Sequence, residues 1–208
     1  MDRSEAGLQI SVIIPVHNRA DLVSRAIDSV LAQSCPADEV IVVDDGSTDD
    51  TAGAVLRFGD RVRMIQQPHS GVSVSRNRGI RAARYDWLAF LDSDDLWKAD
   101  KLQRQCKALQ EQPDLLICYT DEEWRKDGLW KNQSKHHQKY SGWIYAHCLA
   151  LCIISPSSVL LHRCVLEAAG LFDEQLPACE DYDLWLRVCS RFPVLFLAER
   201  LIVKQAGD

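Results

Sequence analysis

Over the first 120 residues, short runs of apolar, β-branched side chains alternate with stretches whose apolar positions recur every three or four residues. Ile10 to Val16 predicts a strand buried on both faces, with Pro15 limiting its C-terminal end and His17-Asn18-Arg19 as a polar turn. Asp21 to Gln33 predicts a helix, because Val23, Ile27, Val30 and Leu31 fall on one helical face. Val40 to Val43 is a second buried run that ends in Asp44-Asp45-Gly46-Ser47. Ser47 and Asp50 have the spacing of a capping box for a helix to about Phe58, with Gly59 as its stop. A weaker third strand is expected from Val62 to Gln66, and a helix opened by Ser70-Gly71 from about Val72 to Arg84. Trp87 to Leu91 predicts a fourth strand, Ala99 to Gln110 a helix and Leu115 to Tyr119 a further strand.

Strand and helix alternating with short polar turns at strand C-termini is the pattern of βαβ units around a mainly parallel sheet. Such sheets bind ligands at the carboxyl ends of their strands. The polar turns here follow strands one, two and four: His17-Asn18, Asp44-Asp45-Gly46 and Asp92-Ser93-Asp94-Asp95. The later sequence is less regular. Trp124 to Gly142 is polar and reads as a hairpin or mobile loop, Ser157 to His162 as a strand, and Cys164 to Ala169 as a short helix stopped by Gly170. Glu180 to Arg191 predicts a helix and Val194 to Ala198 a last strand. The fold class is therefore α/β, in one domain without repeats or linkers.

Composition narrows the function classes. With 208 residues, 47% hydrophobic and 26% charged, the chain resembles an ordinary globular protein that can bury a sizeable core. A net charge of -6 and the lack of a dense basic stripe disfavour nucleic acid as a partner. The eight cysteines show no CxxC pair, and several lie in apolar stretches, so reduced thiols in a cytoplasmic protein are expected. The charged N-terminus precedes no apolar signal segment, and the longest apolar run, Cys148 to Ile154, is far short of the about 20 residues needed to span a bilayer.

The acidic turn after strand four carries the strongest chemistry. Clustered carboxylates repel one another and are costly near an interior unless a cation sits among them. Mg²⁺ or Mn²⁺ takes one or two protein carboxylates and completes its shell with phosphate oxygens and water. On that reading Asp94 binds the metal and Asp92 lies near a sugar or the metal's water shell. The alternative is a solvated turn with an Asp N-cap. Asp45 can accept hydrogen bonds from a nucleobase N–H or a ribose hydroxyl, or serve only strand-to-helix turn chemistry. Arg76 in Ser75-Arg76-Asn77-Arg78-Gly79 can pair with a diphosphate and Asn77 with nearby loops; the bland reading is an exposed basic helix face. Glu180-Asp181-Tyr182-Asp183 puts carboxylates at a helix start, where the helix dipole alone favours them. The functional reading makes Asp181 a general base. Trp185 shares its face and either stacks on a sugar or belongs to the core. His136-His137 is a poor metal pair because adjacent residues do not share a face. The Lys-rich stretch around it reads as a solvated loop, which can equally touch an anionic acceptor or lipid headgroups. GxGxxG after strand one and GxxxxGK[ST] are both absent, which disfavours dinucleotide-binding and P-loop enzymes.

Five motifs in order resemble those of family 2 glycosyltransferases of the GT-A fold. They are Ile10-Ser11-Val12-Ile13-Ile14-Pro15-Val16-His17-Asn18, Val42-Val43-Asp44-Asp45-Gly46-Ser47-Thr48-Asp49, Ser75-Arg76-Asn77-Arg78-Gly79-Ile80, Phe90-Leu91-Asp92-Ser93-Asp94-Asp95 and Glu180-Asp181. The resemblance covers nearly the whole chain. It implies one GT-A domain over 1–208, with a Rossmann-like nucleotide-binding half at about 8–120 and a smaller acceptor-side half at about 121–208. It implies an inverting, metal-assisted transfer of a sugar from a nucleotide sugar, UDP-linked by expectation, to a saccharide or lipid-linked acceptor in cell-surface polysaccharide or glycoconjugate synthesis. Pro15, His17 and Asp45 would line the nucleoside pocket, and Arg76 would lie near the nucleotide. Asp92 would sit by the donor ribose or sugar, and Asp94 would be the principal ligand of Mg²⁺ or Mn²⁺. Asp181 would be the base, supported by Glu180. Cytoplasmic location, including peripheral association with the inner face of a membrane, belongs to the same expectation.

Departures refine it. No Gln-x-x-Arg-Trp follows Asp181, which favours single additions over processive synthesis, and no transmembrane tail like that of some polyprenyl-phosphate transferases is seen. Some relatives place a His near the metal after the last strand, whereas the last His here is His162. Two other readings remain at this point. One is a non-catalytic domain that binds a nucleotide sugar or glycan within a larger assembly. The other is a Mg²⁺-dependent haloacid-type phosphatase, which places Asp-x-Asp-x-Thr after its first strand; here Asp-x-Asp follows the fourth and Leu96 occupies the Thr position.

Overall fold

The computed structural model describes residues 7–126, 129–131 and 138–205; His136 and His137 lie outside them. The first four buried runs become strands β1 (Ile10–Val16), β2 (Glu39–Asp45), β3 (Arg63–Gln67) and β4 (Trp87–Phe90), all parallel and ordered β3-β2-β1-β4. Helices α1 (Ala20–Leu31), α2 (Thr51–Leu56) and α3 (Val72–Ala82) connect them. All seven residues of β1 are buried because both faces of the sheet are covered. Successive side chains on a strand point to opposite faces. Val12 and Ile14 accordingly join a core with Val23, Ile27 and Val30 of α1. Ile13 joins a second core on the other face, with Ile80 of α3 and Leu184 and Trp185.

Gly79 has a packing reason to stand inside α3. A Cβ there would overlap Cγ2 of Ile13, so the helix can lie this close to β1 only without a side chain. Gly79→Ala is expected to destabilise the fold by about 1–3 kcal/mol through overpacking, measurable as a lower urea midpoint. Unchanged or increased stability would show that α3 shifts outward freely.

The remaining strands extend the sheet through mixed pairing. After β5 (Leu96–Trp97) and α4 (Lys101–Glu111) come β6 (Ile117–Lys126), β7 (Leu129–Lys131), α5 (Tyr145–Cys148), β8 (Val159–His162), α6 (Arg163–Ala169), α7 (Glu180–Cys189) and β9 (Leu195–Gln205). The order is β3-β2-β1-β4-β8-β6-β9-β5, with β7 paired to β6. β6 and β9 are parallel, whereas β8 runs antiparallel to both β4 and β6. This is the α/β architecture expected from the sequence.

Three local expectations are corrected. Ser47 is not a helix cap: its hydroxyl accepts from the Asn18 amide at 2.9 Å, and the helix begins only at Thr51. The last strand does not stop at Ala198. Exposed Glu199 and Arg200 interrupt the apolar pattern where the β6–β9 register shifts near Asp121, and Leu201 and Ile202 are buried again beyond it. Part of the polar stretch after Trp124 forms the β6–β7 hairpin, one of the two forms expected for it. Lys139 is not solvated: its ammonium donates to the Thr120 carbonyl at 3.2 Å and faces Asp121 and Glu122 at 3.8 and 3.6 Å. All eight cysteines are free thiols. Among the described residues, no helix is long and apolar enough to cross a membrane.

Candidate active site

The carboxyl ends of β1, β2 and β4 open into one cavity of about 490 Å³. Asp45, the last residue of β2, is held rigidly within it. Its carboxylate accepts from Gln67 Nε2 at 2.7 Å and from the backbone amides of Ser70 and Gly71 at 2.9 and 2.8 Å. Burial acts to raise its pKa, but these hydrogen bonds outweigh it and leave the carboxyl below its ordinary value. The next residue, Gly46, has φ 70°, and a Cβ there would lie 2.6 Å from the His69 amide nitrogen. Only glycine lets the 67–71 turn close over Asp45 in this way. His17 at the end of β1 donates through Nδ1 to the Asp45 carbonyl at 2.8 Å. Its ring stacks on His69, centroids 4.1 Å apart, and His69 Nδ1 sits 2.8 Å from Asp45 Oδ2. One ligand atom each from His17, Asp45 and His69 lie within 4.8 Å of one another, a group with the composition of a metal site.

The three acidic residues after β4 have different surroundings. Asp92 Oδ1 accepts from Arg76 Nη2 at 2.7 Å. Burial would raise its pKa, but the Arg76 guanidinium and the Lys204 ammonium hold it below the usual value. Asp95 is buried, accepting from Ser157 Oγ at 2.7 Å and from the Gln205 amide at 3.3 Å. Burial pushes its pKa up to about 7 against the opposing pull of Lys204. Asp94 is half-buried and lines the cavity, and none of the described residues forms a hydrogen bond or ion pair with its carboxylate. An uncommitted carboxylate beside two committed ones fits a hard divalent cation that brings its own phosphate and water ligands.

Arg76 ties this turn to the start of α7. Its Nη1 donates to Glu180 Oε1 at 2.6 Å while Nη2 holds Asp92, and its guanidinium lies 5.1 Å from the centroid of the Phe172 ring. Asn77, one residue on, donates to the Phe172 carbonyl and to Glu174, both at 2.8 Å, which fixes the loop leading to α7. Cys179 just before the helix has φ 61°, the left-handed turn that presents Glu180 and Asp181. Asp181 accepts from the Tyr182 amide at 2.8 Å, and its other oxygen lies 3.7 Å from Cys152 Sγ. Burial, reinforced by the neighbouring Glu180 charge, raises its pKa. Trp185 is a core residue, 1% exposed, and does not line the cavity.

Of the residues singled out from sequence, Pro15, His17, Asp45, Arg76, Asp92 and Asp94 all line the cavity. Glu180 and Asp181 are outside its lining and join it through the Arg76 bridge. Sequence reasoning missed His69, Ser157 and Lys204. His69 sits in a Pro68-His69-Ser70 segment that reads only as a turn. Lys204 lies on the part of β9 beyond the expected end of that strand.

A family model described as "Glycosyl transferase family 2" matches residues 11–163. The chain belongs to that family. It is 32% identical to an uncharacterized glycosyltransferase of Rickettsia typhi over 96% of this chain and 64% of that protein. It is also 32% identical to the Escherichia coli UDP-Glc:alpha-D-GlcNAc-diphosphoundecaprenol beta-1,3-glucosyltransferase WfgD, over 86% of this chain and 69% of that one. Against the Rickettsia relatives it spans from 29% to 64% of their length. Staphylococcus aureus TarS in complex with UDP-GlcNAc superposes with a TM-score of 0.80 at 20% identity, covering 97% of this chain and 59% of that one. The Pyrobaculum calidifontis mannosyltransferase PcManGT, in complex with GDP-Man and Mn²⁺, gives 0.74 at 21% identity, covering 97% and 58%. These likenesses show the GT-A fold. Membership of family 2 sets aside the phosphatase reading.

Proposed function

We propose that this family 2 glycosyltransferase moves a sugar, with inversion, from a UDP-sugar to an acceptor hydroxyl, one residue at a time. The observation that carries the reading is the Asp92–Arg76–Glu180 bridge, which joins the cavity to the helix turn bearing Asp181. Asp45, fixed by its hydrogen bonds, and His17 hold the nucleoside, with Pro15 against it. Asp92 orients the donor sugar, and Asp94 holds Mg²⁺ or Mn²⁺. The cation, when bound, offsets the charge that develops on the departing diphosphate. Asp181, acting as a carboxylate, accepts the proton of the attacking hydroxyl at Oδ2. Glu180 keeps Arg76 in place and raises the basicity of Asp181. Residues from about 8 to 120 supply most of the donor site, and the half from about 121 to 208 carries the acceptor side, the acceptor being a saccharide or a lipid-linked sugar presented at the inner face of a membrane. The relatives' names support a glycan-building role, and WfgD's name records a UDP-linked donor and a lipid diphosphate acceptor.

A thermal-shift panel of nucleoside diphosphates with and without Mn²⁺ tests the reading, because stabilisation follows affinity. UDP is expected to raise Tm in a metal-dependent way, and UDP-sugars to do so while being slowly hydrolysed. A panel in which no nucleotide stabilises the protein overturns it; stabilisation without any turnover supports a binding domain instead. Asp94→Ala should lose the metal-dependent part of the UDP shift and keep the metal-free part. Loss of both would place Asp94 in the fold rather than at the metal.

A further inference from the structure

The cation that meets the donor's diphosphate is not evident from the motifs. Arg76 is the obvious candidate, but its two terminal nitrogens are already bound to buried or half-buried carboxylates at 2.6 and 2.7 Å. Arg19 also lines the cavity, but it is exposed and lies next to His17 at the nucleoside end. Lys204 is placed differently. β5 follows directly on the acidic turn and pairs antiparallel with β9, Leu96 opposite Val203, which lays Lys204 and Gln205 alongside Asp94 and Asp95. The Gln205 amide donates to Asp95, which pins that register. The Lys204 ammonium therefore lines the cavity among Asp95, Asp92, Glu122 and Asp181, and these charges hold its pKa above the ordinary value in spite of its burial. An ammonium has three donors. The hydrogen bond formed by Lys204 Nζ is a long one, 3.4 Å to Ser155 Oγ.

We propose that Lys204 is a direct ligand of the donor's diphosphate. In the free protein it is the counter-ion of the acidic turn. When the nucleotide arrives with its divalent cation, the metal takes over the Asp94 end of the turn and the ammonium turns to the phosphate oxygens. This rests on the nucleotide-sugar reading and adds a cation that none of the five motifs contains. No covalent step is involved: the lysine stays protonated, and its charge stabilises the leaving diphosphate.

Binding separates this role from a structural one. Lys204→Met and Lys204→Arg are compared with the full 208-residue chain by titration calorimetry against UDP, uridine and inorganic pyrophosphate at fixed Mn²⁺, and against Mn²⁺ alone. Loss of a charge-assisted hydrogen bond should weaken UDP and pyrophosphate roughly ten- to a hundredfold in Lys204→Met and leave uridine unchanged. Lys204→Arg should recover most of the loss. Mn²⁺ alone should bind Lys204→Met more tightly, because a positive charge beside its ligands is gone, whereas damage to the fold would weaken every ligand together. UDP affinity unchanged in Lys204→Met, or UDP and uridine falling in parallel, overturns the proposal. Lys204-dependent pyrophosphate binding in a protein that ignores both UDP and uridine would keep the anion site and remove the nucleotide reading.

Discussion

Asp181→Asn is expected to bind UDP with the affinity of the parent protein and to transfer sugar roughly 10²- to 10⁴-fold more slowly, the usual contribution of a positioned general base. The substitution keeps the shape and the hydrogen bond from the Tyr182 amide, and it removes the lone pair that takes the acceptor's proton. Asp181 is half-buried beside Glu180, and desolvation with the neighbouring charge raises its pKa above the ordinary Asp value. The sign follows from the role: the base works deprotonated, so kcat/KM should be full above that raised pKa and fall as pH drops through it. The acid limb should therefore lie at higher pH than an exposed aspartate would give, and it should disappear from the residual activity of Asp181→Asn. Transfer at near-parental rates, or an unchanged acid limb in the variant, would remove Asp181 from the chemistry. Loss of UDP affinity in step with activity would make it a structural residue.

The legible parts of this protein were those in which local pattern and final structure obey the same rule. The strands β1, β2 and β4 are buried on both faces, so their apolar runs stand out, and the polar turns that follow are where a parallel sheet presents its ligand groups. Residues of the cavity on those turns, His17, Asp45, Asp92 and Asp94, could be singled out for that reason. What the pattern could not show was pairing between distant segments. Lys204 reaches the acidic turn because a two-residue strand, too short to have a period, pairs with the far end of β9 past a bulge. Ser47 illustrates the reverse error: its spacing fits a cap, yet a loop 29 residues away in sequence claims its hydroxyl. For Arg76 the sequence leaves open a diphosphate partner or an exposed helix face, whereas the side chain is buried between two acids far apart in the sequence. No short-range signal distinguishes those two situations.

That burial makes Arg76 the residue whose loss should cost the fold most. Arg76→Met keeps much of the apolar stem and deletes the guanidinium that lies over Phe172 and between Asp92 and Glu180. Breaking a buried ion pair from one side typically costs about 3–5 kcal/mol, because the remaining charges are left uncompensated away from water. For a chain of this size each kcal/mol lowers Tm by about 2–4 °C, so a fall of about 10 °C is expected. The loss should be partly reversed in Arg76→Met/Glu180→Gln, where one stranded carboxylate is also neutralised; simple loss of packing would not be relieved by that second change. Lys in place of Arg76 should restore less than half of the stability, since an ammonium cannot span the two carboxylates in the planar geometry that the guanidinium uses. A drop of less than about 1 kcal/mol in Arg76→Met would show that water reaches Asp92 and Glu180 as soon as the guanidinium leaves. The bridge would then be a device for alignment alone, and the same variant should still misplace Asp92 relative to Asp181 and lose transfer while its Tm holds.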